Sequence, residues 1–122
     1  MKKLMTIFVL SVAVNTVMAQ GVNFAREANW KAVLAKAKQE NKYVFVDVYA
    51  TWCGPCKLMD AQAFANVEVG KKMNAQFIAV KLQVDQTAGD NADIKAWYDD
   101  AAIMSRNYQI TALPTQLYFS PE

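Results

Sequence analysis

The chain has 122 residues, enough for a single domain, with two cysteines and no histidine. The lack of histidine excludes Cys–His and Ser–His nucleophile pairs. Two cysteines alone cannot complete a four-ligand zinc site, so we expect no metal and no other cofactor. The formal net charge of +2 comes from Lys2 and Lys3, and the rest of the chain is balanced. This balance does not indicate binding to nucleic acid or to a membrane surface.

Residues 1–19 have the pattern of a secretory signal peptide. Met1–Lys3 is a short basic start, Leu4–Val14 is an apolar run without charge, and Val17–Ala19 offers a cleavage site. The alternative is an uncleaved membrane anchor, but the apolar run is shorter than the roughly 20 residues that span a bilayer. We therefore expect a signal peptide at 1–19, one domain at 20–122, and a periplasmic location in which the thiols meet an oxidising environment.

Hydrophobic periodicity predicts alternating helices and strands in the remaining chain. Apolar residues recur at helical spacing from Trp30 to Glu40, and Asn29 is the expected N-cap. Residues Tyr43–Tyr49 are nearly all β-branched or aromatic, which is typical of a central strand buried on both faces. This alternation predicts an α/β layer fold with some parallel pairing of strands. The further predicted elements are helices at 56–64, 67–74 and 93–108 and strands at 77–84 and 116–119.

Both cysteines lie in the motif Trp52-Cys53-Gly54-Pro55-Cys56-Lys57, which follows the strand predicted at 43–49. Two thiols at this spacing on a strand-to-helix turn can close a disulfide and reopen it. The helix dipole and the free N–H groups favour a thiolate on Cys53, so we expect Cys53 to be the attacking and more exposed sulfur. Cys56, inside the first helical turn, is then the buried resolving thiol.

The residues between the cysteines are expected to shape this turn. Gly54 lets the backbone turn tightly, and Pro55 restricts it. The alternative interpretation of the motif is an inert structural disulfide. A bridge across so short a loop gives little entropic stabilisation, which favours thiol exchange.

Asp47 places a carboxylate in the middle of an otherwise apolar strand, shortly before Cys53. Such a group is costly to bury unless it is paired or functional. Lys81 interrupts the strand predicted at 77–84 in the same way, and adjacent strands could bring the two side chains together. We predict that Asp47, directly or through water, accepts the proton of Cys56 during exchange, with Lys81 tuning it. The alternative is a solvated position at a strand end.

These features resemble the thioredoxin family over roughly residues 24–122. The resemblance implies a three-layer thioredoxin-like fold, in which helices flank a central mixed sheet. It also implies a cis Leu113–Pro114 bond, with Pro114 beside the cysteine pair and the backbone of Leu113 pairing with an extended substrate segment. Trp52 would form part of the apolar contact surface. The resemblance is carried by Asp47, the motif from Trp52 to Lys57, Lys81 before Val84-Asp85, and Pro114-Thr115.

The chain departs from the family pattern in two places. The segment from Asp85 to Pro114 is longer than in a minimal thioredoxin, as in exported thioredoxin-like proteins and in the soluble domains of disulfide-interchange proteins. The sequence also stops at Glu122, where the family continues into a further strand and helix. We therefore expect a fold that lacks this last strand and helix, with an unpaired edge on the strand predicted at 116–119.

The function that the resemblance implies is thiol–disulfide exchange outside the cytoplasm. The leading interpretation is a reductase of protein disulfides, because the Gly54-Pro55 dipeptide resembles the reducing members of the family. The expected partners are protein thiols and disulfides, with electrons from a membrane thiol donor. A disulfide oxidase or isomerase is an alternative, because only the redox potential separates it from a reductase. A non-catalytic thioredoxin-like binding module is the other alternative.

Overall fold

The computed structural model describes residues 19–122. The signal peptide predicted at 1–19 therefore lies outside the described residues, apart from Ala19. None of the helices in the described range combines the length and apolar character needed to cross a membrane. The elements in chain order are α1 (Trp30–Glu40), β1 (Tyr43–Tyr49), α2 (Gly54–Met59), a π-helical turn (Asp60–Phe64), α3 (Val67–Gln76), β2 (Phe77–Gln83), α4 (Ala92–Lys95), α5 (Tyr98–Asn107) and β3 (Thr115–Phe119).

The sheet is mixed, in the order β2-β1-β3. Strand β1 runs parallel to β2 and antiparallel to β3, so the predicted mixed sheet is confirmed. Residues Val44–Val48 are all buried, because β1 is the central strand and is covered on both faces. Within residues 19–122, β3 pairs with β1 only, so its other edge is open, as expected.

Helices cover both faces of the sheet and give three layers, as predicted. On one face, Val33 and Ala37 of α1 and Ala101 and Met104 of α5 pack against the even-numbered residues of β1 and β2. On the other face, Phe64 packs with the odd-numbered residues, and Met59 and Met73 join them. The two-residue alternation of strand side chains thus separates the core into two clusters. The strand residues of the two clusters are Val44, Val46, Val48, Ile78, Val80 and Leu82 on the first face, and Phe45 and Ala79 on the second.

The helix predicted at 56–64 begins earlier and changes its form. It starts at Gly54 with Cys53 as N-cap, and from Asp60 to Phe64 it continues as a π-helical turn. A π-turn adds one residue per turn, which rotates the following side chains. In this turn Phe64 is buried in the core, while Asp60 reaches Lys81 on the sheet.

The long helix predicted at 93–108 is wrong, because the chain forms two shorter helices, α4 and α5. The break falls at Ala96 and Trp97. The Trp97 indole N–H donates to the backbone oxygen of Glu27 at 3.0 Å. The Tyr98 hydroxyl donates to Asp90 at 2.5 Å. The Trp97 N–H donates to the Ile94 oxygen at 3.1 Å, three residues back and not four, so the α-helical hydrogen-bond pattern is interrupted here.

The segment before α1 is tied to the edge of the sheet beside β2. Phe24 forms an isolated parallel bridge with Ala79, and the Val22 N–H donates to the Phe64 oxygen at 2.7 Å. Gly70 makes this approach possible, since a Cβ on Gly70 would lie 2.3 Å from the carbonyl carbon of Gly21. This backbone contact leaves no space for a side chain on that side of α3.

Candidate functional site

The cysteine pair lies where β1 passes into α2. Cys53 and Cys56 form a disulfide, with 5.3 Å between their Cα atoms. Cys53 is the N-cap of α2, and its sulfur accepts a hydrogen bond from the Cys56 N–H at 3.2 Å. Pro55 lies in the first helical turn, where a missing N–H costs no hydrogen bond. The sulfur of Cys53 is thus close to the helix N-terminus, where partial positive charge favours a thiolate once the disulfide opens.

Both cysteines are buried, so in the disulfide Cys53 is hardly more exposed than Cys56. Their residues are 2% and 1% exposed, respectively. They pack with Ala50 in a small cluster that Tyr49, Val84 and Leu113 border. Trp52 is 72% exposed beside them. In the disulfide state the pair therefore lies just beneath a surface that carries an exposed aromatic ring.

Gly54 does not have the role in a tight turn that was predicted for it. No glycine among the described residues has a positive φ, so the tight-turn explanation for Gly54 is wrong. The helix begins at Gly54 itself, and its backbone has an ordinary conformation that other residues adopt. A Cβ at this position would meet no atom within 4 Å, so the space above the turn is open. Lys57, in the last turn of α2, is also exposed to solvent.

The loop before β3 lies against the cysteine cluster. The Leu113–Pro114 peptide bond is cis, as the resemblance implies. Leu113 packs against the cluster of Ala50, Cys53 and Cys56, while Pro114 is half-buried. The Thr115 hydroxyl donates to the Ala112 oxygen at 2.6 Å and closes this turn. The structure thus brings Leu113 and the cysteine pair together.

Asp47 and Lys81 are neighbours across β1 and β2. Asp47 is fully buried, and its Oδ2 accepts a hydrogen bond from Lys81 Nζ at 2.7 Å. Asp47 is therefore a paired group on the central strand, and the solvated alternative is wrong. Among residues 19–122, the hydrogen bonds of this carboxylate go to Lys81 and Gln116 and to neither cysteine sulfur.

Gln116 and Asp60 are two further partners of this ion pair that the sequence pattern did not predict. Gln116, opposite Asp47 on β3, donates its Nε2 hydrogen to Asp47 Oδ1 at 3.0 Å. Asp60, in the π-helical turn, accepts from Lys81 Nζ at 2.5 Å and is partly exposed. The only sequence feature that could have drawn attention to Gln116 is its polar side chain, two positions after Pro114. Nothing in the sequence indicated that the helix after Cys56 would aim Asp60 at the sheet.

Aromatic rings surround the ammonium group of Lys81. Its Nζ lies 4.4 Å from the centre of the Tyr49 ring and 5.5 and 5.6 Å from those of Phe24 and Phe64. The faces of such rings attract a nearby cation. Burial raises the pKa of Tyr49 above its ordinary value, and the nearby carboxylates, Asp60 first, raise it further. Tyr49 therefore stays neutral here, with its hydroxyl donating to Gln83 Oε1 at 3.2 Å.

The loop after β2 supports the turn that carries the cysteines. The Asp85 carboxylate accepts from the Thr51 N–H at 3.0 Å and also from the Thr51 hydroxyl. Thr51 lies two residues before Cys53, so these bonds hold the end of β1 to the loop. Residues 19–122 contain no group of three or more His, Cys, Asp or Glu side chains placed to hold a metal ion. The chemistry available at the site is thiol–disulfide exchange at Cys53 and Cys56.

Fold and site together define a thioredoxin-like protein that carries a Cys53–Cys56 disulfide. The family model Thioredox_DsbH, described as "Protein of unknown function, DUF255", matches residues 11–122. Thioredoxin from Mycoplasmoides gallisepticum is 36% identical over 89 residues, which are 73% of this chain and 71% of that protein. The chain belongs to the thioredoxin family and, within it, to this DsbH-like group.

Two further similarities extend this assignment. Thiol:disulfide interchange protein DsbD from Colwellia psychrerythraea is 32% identical over 106 residues, which are 80% of this chain and 16% of that protein. The chain thus corresponds to a small part of that relative. The solved structure named "DsbH Oxidoreductase" superposes with a TM-score of 0.69 at 14% identity, covering 92% of this chain and 74% of that one. At this identity the superposition supports the fold alone.

Proposed function

We propose that this protein is an extracytoplasmic oxidoreductase that reduces disulfides in other proteins through Cys53 and Cys56. The observation that carries the proposal is the disulfide at the N-terminus of α2, which packs against Leu113 and directly follows the exposed Trp52 in the chain. A substrate segment that docks on Trp52 and along the Leu113–Pro114 loop would reach Cys53.

The reaction moves two electrons in two exchange steps. In the reduced protein, the Cys53 thiolate attacks one sulfur of the substrate disulfide, and the other substrate sulfur leaves as a thiolate. Cys56 then gives its proton to Asp47, and its sulfur attacks Cys53 in the mixed disulfide. The second substrate thiolate leaves and takes up a proton, while Cys53 and Cys56 end as the disulfide. Lys81 compensates the charge of Asp47 in this cycle.

We also propose where the protein works and which class of protein supplies its electrons. The predicted signal peptide at 1–19 would be removed, and the domain at 20–122 would work in the periplasm. Each turnover leaves the cysteines oxidised, so a thiol donor must reduce them again. A membrane protein with an exposed dithiol is the donor class that fits an exported reductase.

The reduction potential of the cysteine pair tests the direction of electron flow. We expect equilibration of the mature protein with glutathione redox buffers to give a value near −270 mV, which is typical of a reductant. A value of about −120 to −180 mV would instead indicate a disulfide oxidase or isomerase. Mass spectrometry after acid trapping of free thiols reports the oxidised fraction directly.

A cysteine variant separates catalysis from binding. Cys53→Ser removes the attacking sulfur but leaves Trp52 and the Leu113–Pro114 loop in place. We expect it to lose reduction of insulin disulfides with dithiothreitol as the electron source. If the wild-type protein has no such activity and Cys53→Ser retains partner binding, the chain is a binding module and the proposal fails.

A further inference from the structure

We propose that Gln116 is a positioning residue for the exchange reaction, acting through the carboxylate of Asp47. This inference rests on the proposed function, because it concerns the step in which Asp47 takes the proton of Cys56. The structural basis is a row of three side chains across the sheet. Lys81 on β2, Asp47 on β1 and Gln116 on β3 occupy matching register positions.

Each oxygen of the buried Asp47 carboxylate accepts a hydrogen bond from a different donor. Lys81 Nζ lies 2.7 Å from Oδ2, and Gln116 Nε2 lies 3.0 Å from Oδ1. Because the ionised carboxylate only accepts hydrogen bonds, the amide nitrogen must be the atom that faces it. Two donors on opposite sides fix the plane of the carboxylate, which one donor alone would leave free to rotate.

The two donors differ in charge, and this assigns different roles to the two oxygens. Lys81 compensates a buried negative charge, so its separation from Oδ2 would be costly. Gln116 is neutral, and it can release Oδ1 without leaving an unpaired charge behind. We therefore assign Oδ1 as the oxygen that receives the proton, with Gln116 holding it in place between turnovers.

The Gln116 amide also contacts the helix of the cysteine pair. The same Nε2 atom lies 3.5 Å from the sulfur of Met59 in α2. Met59 follows Cys56 by three residues, so both side chains project from one face of that helix. The Gln116 amide is thus located between Asp47 and the face of α2 that carries the resolving thiol.

The groups that face this carboxylate come from each neighbouring element. They are Lys81 on β2, Asp60 behind it in the π-helical turn, Tyr49 on β1, and Gln116 on β3. Gln116 is the neutral member of this set that bonds to Asp47 directly. A change of Gln116 therefore alters the carboxylate without changing the number of charges around it.

A single-turnover experiment separates the two chemical steps. The reduced protein is mixed with dithiobis-nitrobenzoate, whose first coloured thiolate leaves when Cys53 attacks and whose second leaves when Cys56 resolves the mixed disulfide. Gln116→Met keeps the length of the side chain but removes the donor. We expect an unchanged first release and a second release slowed about tenfold at neutral pH, the order for one hydrogen bond to a charged group.

The pH profile and a double variant test whether Gln116 affects the second release through Asp47. Without the amide donor the carboxylate loses one of its two hydrogen-bond partners, so the pH profile of the second release should differ from that of the wild type. In an Asp47→Asn background, Gln116→Met should cause no further slowing, because the residue acts through Asp47. Gln86→Leu, which removes an amide from an exposed loop position, should match the wild type in both steps.

The possible outcomes are distinct. If Gln116→Met matches the wild type in the second release, or slows it equally in the Asp47→Asn background, the inference is overturned. Gln116→Leu provides a second donor-free side chain, and circular dichroism checks that each variant is folded. If the wild type releases no second thiolate, the proposed function itself fails and the inference falls with it.

Discussion

Asp47 and Lys81 lie opposite each other on β1 and β2 and form an ion pair with 2.7 Å between Nζ and Oδ2. The carboxylate is fully buried, while the lysine side chain retains 22% exposure. The same ammonium also contacts Asp60, which is 46% exposed. One cation thus joins a carboxylate in the core to a carboxylate at the surface. This arrangement gives a buried acidic group a polar route toward solvent.

Loss of Lys81 should destabilise the fold. The variant Lys81→Met leaves the buried charge of Asp47 with only the Gln116 amide, and removal of one partner of a buried pair costs about 3 kcal/mol. Urea unfolding followed by circular dichroism measures this loss. Lys31→Met, at an exposed position of α1, is the control and should change the stability by about 0.5 kcal/mol or less.

Removal of both charges should restore part of that stability. In Asp47→Leu/Lys81→Met the buried site is apolar, and replacement of a buried pair by apolar groups is often neutral or stabilising. We expect the double variant to unfold at a higher urea concentration than Lys81→Met alone. If the single variant is as stable as the wild type, the ion pair does not compensate the buried charge.

The variant Asp47→Asn should slow resolution of the mixed disulfide while preserving the fold. Asparagine fills the same space but does not accept the proton of Cys56, and general-base catalysis contributes on the order of 100-fold or more. The release of the second thiolate from dithiobis-nitrobenzoate measures the effect, and the first release should be unchanged. Asp99→Asn, at an exposed site on α5, is the matched control. An unchanged rate and pH profile in Asp47→Asn would exclude the proton-transfer role.

The ion pair could be predicted from sequence because a charged residue in an apolar strand is conspicuous. Asp47 and Lys81 each interrupt such a run, and two neighbouring strands offered a way to pair them. Gln116 carries no comparable signal, because a glutamine in a short strand near the chain surface is ordinary. Its contact with Asp47 depends on the antiparallel register of β3, which the sequence pattern does not determine.

Helix continuity was the other feature that the sequence could not determine. The apolar spacing from Ile94 to Tyr108 fits one helix, and Ala101 and Met104 within it are buried. At the break, the Trp97 indole donates to the backbone oxygen of Glu27, a residue distant in the chain. Local periodicity carries no information about such a partner.

Gly70 should be intolerant of a side chain. A Cβ in Gly70→Ala would lie 2.5 Å or less from the backbone of Gln20 and Gly21, and backbone atoms cannot rotate away as a flexible side chain does. We expect a loss of about 1–3 kcal/mol, typical of overpacking. Hydrogen exchange should also increase at the Val22 amide, which bonds to the Phe64 oxygen in the wild type. Unchanged urea unfolding of Gly70→Ala would show that this contact is dispensable.

Gly54→Ala should have the opposite effect on stability. This position lies in the first turn of α2, has no positive φ and has open space around it. Alanine should therefore leave the melting temperature unchanged or raise it, with a gain of up to about 1 kcal/mol from the helix preference. Any loss of insulin reduction in this variant would then report on substrate approach to the cysteine pair. A marked drop in melting temperature would contradict the position of Gly54 in the helix.

Asp90 should make the stability depend on acid pH. The hydrogen bond from the Tyr98 hydroxyl, followed by those from Thr87 and Gln83, holds the pKa of Asp90 well below its ordinary value. A carboxyl whose pKa is lower in the folded state stabilises the fold above its unfolded pKa, near 4, and this contribution declines as the pH falls further.

The same hydrogen bond should also affect stability at alkaline pH. The bond to Asp90 raises the pKa of Tyr98, so its contribution is present below the ordinary value near 10 and declines as the pH rises above it. Urea midpoints measured across the acid and alkaline ranges test both effects. Asp90→Asn should flatten both dependences and lower the midpoint at neutral pH, since the charged acceptor is lost. If the acid and alkaline limbs of this variant match those of the wild type, other groups govern the pH dependence.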